Sequence, residues 1–257
     1  NITVTAVNDV PVITSTPALD ALDGSLYQYS LSVNDADGDD VAMTATTKPD
    51  WLTISNNNSN SINFDGSNDY VQIPHQFSQA ISQNITLASW IKVDAFGNWD
   101  GVITKGINKS PYALQLWGNG SIRFTANWGG PTGYSGSGSW NSSGILSTNS
   151  WHHIAVTYNG SNISFFIDGV LDSQVNSPGL VFGNNGEDLV LGADFPGGNE
   201  YFDGIMDDVS IWNTALTQEQ IQSNMSTAPT GSETGLVGYW NFNEGTGTTV
   251  NDMSSND

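Results

Sequence analysis

The stretch "GIMDDVSIWN", residues 204–213, places two carboxylates inside a segment that is otherwise typical of a β-strand. Because side chains alternate along a strand, Asp207 would share one face with Val209 and Ile211, and would face a core wherever they do. A buried carboxylate without a partner costs several kcal/mol. The pattern therefore predicts that Asp207 is held either by a metal ion or by backbone N–H groups. Asp208 lies on the opposite face of the strand and is expected to be solvated.

A second acidic stretch, "NDADGDD", occupies residues 34–40. Asp35, Asp37 and Asp39 alternate as the ligands of calcium loops do, and Gly38 permits a sharp turn. No Glu follows at the spacing of an EF-hand, and no helical pattern flanks the loop. The stretch is predicted to be either a calcium loop of another kind or a solvated acidic turn.

Several aromatic side chains lie in polar loops, and a core cannot use all of them. Sugars present apolar C–H faces to such rings and hydroxyl groups to neighbouring polar side chains. The candidates are Trp99, Trp128, Tyr134 and Trp140 for stacking, and Asp100, Arg123 and Asn127 for hydrogen bonding. This set predicts a carbohydrate site, with packing of the rings on the domain surface as the alternative.

The overall charge limits the partners that the chain can have. Its 257 residues carry 26 acidic and 5 basic side chains, for a formal net charge of −21. Such a surface repels nucleic acid and anionic membranes and suits divalent cations, although solubility alone could also explain it. We therefore expect no nucleic-acid partner, no membrane insertion and a neutral or weakly charged glycan. The absence of cysteine excludes disulfides, thiolate zinc sites and cysteine nucleophiles.

Short alternating runs separated by turns such as "DGSND", "GNG" and "YNGSN" predict an all-β sandwich or jelly roll. The predicted strands are 62–64, 70–73, 84–93, 101–105, 112–117, 120–127, 151–158, 162–168, 188–192 and 204–212. One helix is expected at "TQEQIQSNM", with Thr217 as its N-cap and Gln220 at the capping-box position. Residues 127–150 are expected to form a long polar insertion.

The motifs "INFDGSNDYVQIP", "ITLASWIKV", "SWHHIAVTYNGSNISFFIDGVL" and "YFDGIMDDVSIWNTALTQEQI" occur in the order found in concanavalin A-like, laminin-G/pentraxin-like domains. The resemblance covers about residues 62–225 and implies an all-β, two-sheet antiparallel jelly-roll sandwich. In that family the "FDG" turn and the "DDV" strand lie close together. The resemblance therefore implies that Asp65, Asn68, Asp69 and Asp207 converge as oxygen ligands of Ca²⁺, with backbone hydrogen bonds from the turn as the alternative.

Residues 1–55 resemble part of a bacterial cadherin-like or immunoglobulin-like repeat, through "VNDVP", "YSLSVNDADGDDV" and "PDWLTIS". In such repeats the acidic loop pairs with the linker, which would recruit Asn8 and Asp9. Residues 56–61 are expected to form a linker. Residues 226–257 contain "GLVGYWNFNEG", which also resembles the laminin-G-like family. Its predicted strand, 235–244, either closes this domain or begins another copy.

The sequence shows no constellation of catalytic residues. The E-x-D-x-E run of related glycoside hydrolases is missing, as is G-x-S-x-G, and His152 and His153 fall in a framework strand of the resembled family. The sequence predicts a non-catalytic, extracellular or bacterial cell-surface module that binds a polysaccharide or cell-surface glycan, with Ca²⁺ stabilising the fold. It would act as a monomeric part of a larger protein. The alternative is a structural or protein-binding module of a large calcium-dependent bacterial adhesin.

Overall fold

The computed structural model describes residues 12–13, 33–34, 60–106, 111–127, 136–183, 186–195 and 200–255. The chain divides into two compact units, Asn1–Asn57 and Asn58–Asp257. In the first unit, strand β1 (Val12–Ile13) pairs antiparallel with β2 (Val33–Asn34). The calcium ligands predicted in this unit lie outside the described residues; they are Asn8, Asp9, Asp35, Asp37 and Asp39.

The second unit is a sandwich of two antiparallel sheets, as the sequence predicts. Within the described residues, the first sheet contains β3 (Ile62–Asp65), β5 (Ile85–Ala95), β10 (Trp151–Tyr158), β11 (Asn162–Ile167), β12 (Val170–Asn176), β14 (Asp203–Trp212) and β15 (Leu236–Trp240). The second sheet contains β4 (Val71–Ile73), β6 (Asp100–Lys105), β7 (Tyr112–Leu116), β8 (Ser121–Ala126), β9 (Gly138–Ile145) and β13 (Leu189–Leu191). The helices of the described part are a 3-10 turn at Phe77–Gln79 and α1 at Gln218–Ser226.

The first sheet has the order β12-β11-β10-β5-β14, and β14 pairs with β3 along one half and with β15 along the other. The second sheet has the order β4-β13-β6-β7-β8-β9. Alternate side chains of both sheets face each other and form one apolar core. Among its fully buried members are Phe64, Leu87, Tyr112, Phe124 and Trp240. The side chains of opposite parity on the second sheet face away from this core.

Two strands lie where the sequence does not predict them, β9 and β12. The β9 segment, "GSWNSSGI", falls inside the predicted polar insertion and is rich in Gly and Ser, which have low β-propensity. Both strands are at the edges of their sheets and are largely exposed, so they need little apolar alternation. Pairing with β8 and β11, rather than local sequence, defines them.

The predicted helix and C-terminal strand both form. Thr217 Oγ1 accepts a hydrogen bond from Gln220 N at 3.3 Å, and Thr217 N donates to Gln220 Oε1 at 2.9 Å, which completes the capping box. The strand expected at 235–244 is β15, and its pairing with β14 makes it part of this sandwich. No helix among the described residues is long and apolar enough to cross a membrane.

A β-bulge in β14 changes the position of the two central carboxylates. The pairing with β5 shifts between Asp207 and Ser210, and Asp208 adopts a φ of 48°. Met206, which pairs with the core residue Ile91, and Val209 therefore both face the core, whereas Asp207 pairs with Trp90 on the opposite face of the sheet. The expectation that Asp207 shares the face of Val209 is wrong, because simple alternation does not allow for the extra residue.

Asp208 is not solvated, although simple alternation along the strand predicts that it is. It is partly buried, and its carboxylate accepts a hydrogen bond from the Tyr239 hydroxyl on the neighbouring strand β15. Burial raises the pKa of Asp208, and the Tyr239 hydrogen bond opposes that rise. The bulge thus ties β14 to β15 through a side-chain contact as well as through the sheet.

Candidate functional site

The predicted calcium ligands do not converge as the resemblance implies. The register of β3 and β14 places Asp203 opposite Asp65. Asp207 lies four residues further along β14, about 13 Å at the rise of an extended strand. The structure therefore separates Asp207 from the turn that carries Asp65 and Asp69.

The turn carboxylates already accept backbone hydrogen bonds. Asp69 Oδ2 accepts from Asp65 N at 3.1 Å, and Asp65 Oδ1 accepts from Ser67 N at 2.9 Å, while Asn68 is exposed in the same turn. Asp207 Oδ1 accepts from Asp208 N at 2.8 Å. Within the described ranges, no group of three or more His, Cys, Asp or Glu side chains is arranged to hold a metal ion.

The polar candidate Arg123 lies on the outer face of the second sheet. The register of β6 to β9 aligns Gly101, Gln115, Arg123 and Asn141 in one cross-strand row. Their parity is opposite to that of Leu114 and the other core side chains of these strands. This row therefore faces away from the sandwich core.

Two tryptophan rings enclose the guanidinium group of Arg123. Its Cζ lies 4.1 Å from the centroid of the Trp99 ring and 4.9 Å from that of Trp117, and the two rings meet edge to face at 4.7 Å. Arg123 Nη1 donates to Asn141 Oδ1 at 3.2 Å. We name Trp99, Trp117, Arg123 and Asn141 the arginine–tryptophan cluster. Asn141 is exposed and the other three are partly buried.

Trp99 is held in an unusual backbone conformation. Its φ of 74° is rare for a bulky residue and costs about 1–3 kcal/mol. Gln115 Nε2 donates to the Trp99 carbonyl oxygen at 3.3 Å and to Asp194 Oδ1 at 3.0 Å. Thr125 Oγ1 in turn donates to Gln115 Oε1 at 3.0 Å. This buried polar network fixes the loop that presents Trp99.

Asp100 has a structural place beside this loop. It is 3% exposed, and its Oδ2 accepts from Gly97 N at 2.6 Å. Burial raises the pKa of Asp100 to about 6, the Gly97 N–H opposes this, and the nearby charges of Asp203 and Glu200 raise it further. Asp100 therefore positions the turn before β6 and is not presented to a ligand.

Two further predicted contact residues also have structural roles. Asn127 Nδ2 donates to the carbonyl oxygens of Gly136 at 2.7 Å and Val181 at 2.9 Å. Trp140 stacks on the core residue Phe124 with centroids 6.2 Å apart, so it lies on the opposite face of β9 from Asn141. The prediction that Asn127 and Trp140 share a site with Arg123 is therefore wrong. Trp128 and Tyr134 lie outside the described residues.

A chain of three side chains has the residue types of a serine hydrolase. Ser147 Oγ lies 2.9 Å from His152 Nε2, and His152 Nδ1 lies 3.0 Å from Asp168 Oδ2. Ser147 N also points at His152 Nε2, at 3.4 Å, so the hydroxyl and the amide approach the same nitrogen. Ser147 and Asp168 are exposed. The hydrogen bonds through His152 link the turn before β10 to the turn after β11. These contacts hold two turns together.

His153 is a framework residue, as the sequence indicates. Its ring meets Trp90 edge to face at 5.3 Å. Burial lowers the pKa of His153 to about 4, and the charge of Asp168 opposes this shift. The ring is therefore neutral near pH 7.

Sequence reasoning missed two members of the cluster. Trp117 follows β7 and precedes the turn "GNG", so a strand-end position was the available signal for partial exposure. Asn141 lies in β9, which is not predicted as a strand, and no local signal places it beside Arg123. Only the pairing of β8 with β9 brings these two side chains together.

Comparisons with known proteins agree with this fold. The family described as the concanavalin A-like lectin/glucanases superfamily matches residues 65–222. A proposed carbohydrate-binding protein from Bacteroides ovatus ATCC 8483 has a TM-score of 0.62 and 20% identity, over 86% of this chain and 63% of that one. The CBM40 of Ruminococcus gnavus IT-sialidase, bound to α2,3-sialyllactose, has a TM-score of 0.50 and 10% identity, over 63% of this chain and 95% of that one.

The chain thus spans less than two thirds of the Bacteroides ovatus protein, and likeness at these identities shows the fold. No sequence among the curated proteins matches significantly. The family match covers more than half of the chain. This chain therefore belongs to the concanavalin A-like lectin/glucanase superfamily.

Proposed function

We propose that residues 58–257 form a non-catalytic module that binds a polysaccharide or cell-surface glycan through the arginine–tryptophan cluster. The observation that carries this proposal is the arrangement of Trp99 and Trp117 around the guanidinium of Arg123, on a sheet face directed away from the core. Aromatic rings, in-plane N–H donors and the exposed amide of Asn141 are together suited to the C–H faces and hydroxyl groups of a sugar.

The rigidity of the cluster supports a binding role. Trp99 keeps a strained φ because Gln115 and its buried partners hold the loop. Backbone strain at a partly exposed aromatic residue is typical of ligand sites, and a fixed site loses little conformational entropy on binding.

The relatives agree with a glycan partner without defining it. The Bacteroides ovatus protein is described as carbohydrate-binding, and the Ruminococcus gnavus module is bound to sialyllactose. We extend carbohydrate recognition to this chain on the basis of its own cluster. An extracellular or bacterial cell-surface location and a monomeric module within a larger protein would suit this role.

The proposal leaves calcium as a separate prediction. The turn with Asp65, Asn68 and Asp69 remains a candidate for Ca²⁺ that stabilises the fold, whereas Asp207 is too far along β14 to join it. The alternative of a calcium-dependent adhesin module depends mainly on residues 1–55, most of which lie outside the described ranges. No described contact favours that alternative over glycan binding.

The test is a glycan array followed by calorimetric titration of the best glycan, with and without Ca²⁺. Trp99→Ala should weaken binding about five-fold or more, since truncating an aromatic residue that anchors a ligand costs about 1 kcal/mol or more. Trp151→Ala is the matched control, because Trp151 is 43% exposed on the first sheet. Equal affinity of wild type and Trp99→Ala, or no glycan binding at all, would contradict the proposed function.

A further inference from the structure

The charge environment of Arg123 is unusual for this protein. Arg123 is the single arginine in a chain with 26 acidic residues. Its partners are the Asn141 amide and the rings of Trp99 and Trp117, and none of the described carboxylates pairs with it. An arginine in so acidic a protein would be expected to pair with a carboxylate unless the surrounding structure prevents it.

The surrounding structure also leaves hydrogen-bonding capacity unused. Arg123 Nε is buried and has no acceptor within the described ranges. Of the five N–H donors of the guanidinium, the described residues engage one, on Nη1, through Asn141 Oδ1. The buried Nε is out of reach of a ligand in this conformation, so a ligand would pair with the Nη donors that Asn141 leaves unused.

We propose that the arginine–tryptophan cluster recognises glycans that carry a carboxylate, with the Arg123 guanidinium as its partner. This inference rests on the proposed function and identifies the class of glycan for the same site. Planar carboxylates match the fork of guanidinium donors, which neutral hydroxyl groups do not. It revises the expectation of a neutral or weakly charged glycan, which came from the net charge of −21 and the single arginine and did not account for the local field at that arginine.

The carboxylate could belong to a uronic acid or to a sialic acid, and paired ligands separate the two. Oligogalacturonate is compared with its neutral methyl ester, and α2,3-sialyllactose with lactose, by calorimetric titration at fixed salt. We expect one acidic ligand to bind about ten-fold or more tightly than its neutral counterpart, the gain from one charge-assisted hydrogen bond. The acidic ligand that shows the gain identifies the source.

Variants assign that gain to Arg123. Arg123→Gln should abolish the preference for the acidic ligand, and Arg123→Lys should retain only part of it. Lys92→Gln, which removes a positive charge from β5 of the other sheet, should leave the preference unchanged. Melting temperatures check that each variant is folded. If Arg123→Gln is not folded, the comparison of acidic with neutral ligands on the wild type still tests whether the site prefers a carboxylate.

The possible outcomes distinguish this inference from the function on which it rests. If both neutral ligands bind as tightly as their acidic counterparts, the carboxylate inference is wrong while glycan binding stands. If no acidic or neutral ligand binds, and the glycan array is also negative, the proposed function fails as well. If the acidic preference survives in Arg123→Gln, another group supplies it and the role given to Arg123 is wrong.

Discussion

Replacing Asp100 with Asn should change how the stability of the sandwich depends on pH. Burial raises the pKa of Asp100 to about 6, from its ordinary value of 3.8, so the folded protein binds a proton that the unfolded chain releases. The stabilisation from that proton is fully present below pH 3.8 and is lost as pH rises through 6. Between about pH 5 and pH 7 the loss is at most about 1 kcal/mol after screening by solvent.

The assay is thermal unfolding of wild type and Asp100→Asn at intervals from about pH 4 to pH 8. A loss of about 1 kcal/mol corresponds to about 2–4 °C in a domain of this size. The melting temperature of Asp100→Asn minus that of the wild type should therefore rise by that amount between about pH 5 and pH 7. The amide oxygen can still accept from Gly97 N.

Asp94→Asn is the control, because it removes the same charge from an exposed position on β5. Its difference from the wild type should change much less over the same pH range. If the Asp100→Asn difference is independent of pH, or falls as pH rises, then Asp100 is not the buried, proton-binding carboxylate described above.

Three further outcomes are expected. Burial lowers the pKa of His153 to about 4, so neutral His153 contributes stability above pH 6.5 that is lost as pH falls towards 4. The melting temperature of His153→Gln minus that of the wild type should therefore rise on acidification. A difference that does not change with pH would refute this. Asp207→Asn should leave any difference in melting temperature between EDTA and Ca²⁺ unchanged, and loss of that difference would place Asp207 in a calcium site. Ser147→Ala should match the wild type in hydrolysis of p-nitrophenyl acetate, whereas covalent labelling of Ser147 by a fluorophosphonate would indicate a working hydrolytic chain with His152.

The sequence predicts the sandwich well because most strands carry strong alternation and clear turns. It fails at Asp207, because one extra residue in β14 changes the face of every side chain on one side of the bulge. It also fails at β9, an edge strand whose Gly and Ser residues give no local signal.

The candidate site was predictable only in part. Trp99 could be selected from its residue type and loop position, and Arg123 as a polar residue near the aromatic loops in sequence, and the structure brings the two together. Trp140 has the same residue type in a similar polar context, yet it packs on Phe124. Trp140 lies on the core-facing side of β9, and β9 forms only through its long-range pairing with β8. Local sequence therefore could not distinguish Trp140 from Trp99.

The most direct test of glycan recognition at this site is an NMR titration that follows the tryptophan indole N–H signals while a glycan selected on the array is added. Signals are assigned with single Trp→Phe variants. Binding at the arginine–tryptophan cluster should shift the indole signals of Trp99 and Trp117 and leave that of Trp151, on the other sheet, unchanged. Shifts confined to Trp151 or to other rings, with Trp99 and Trp117 unaffected at saturation, would contradict the proposed site.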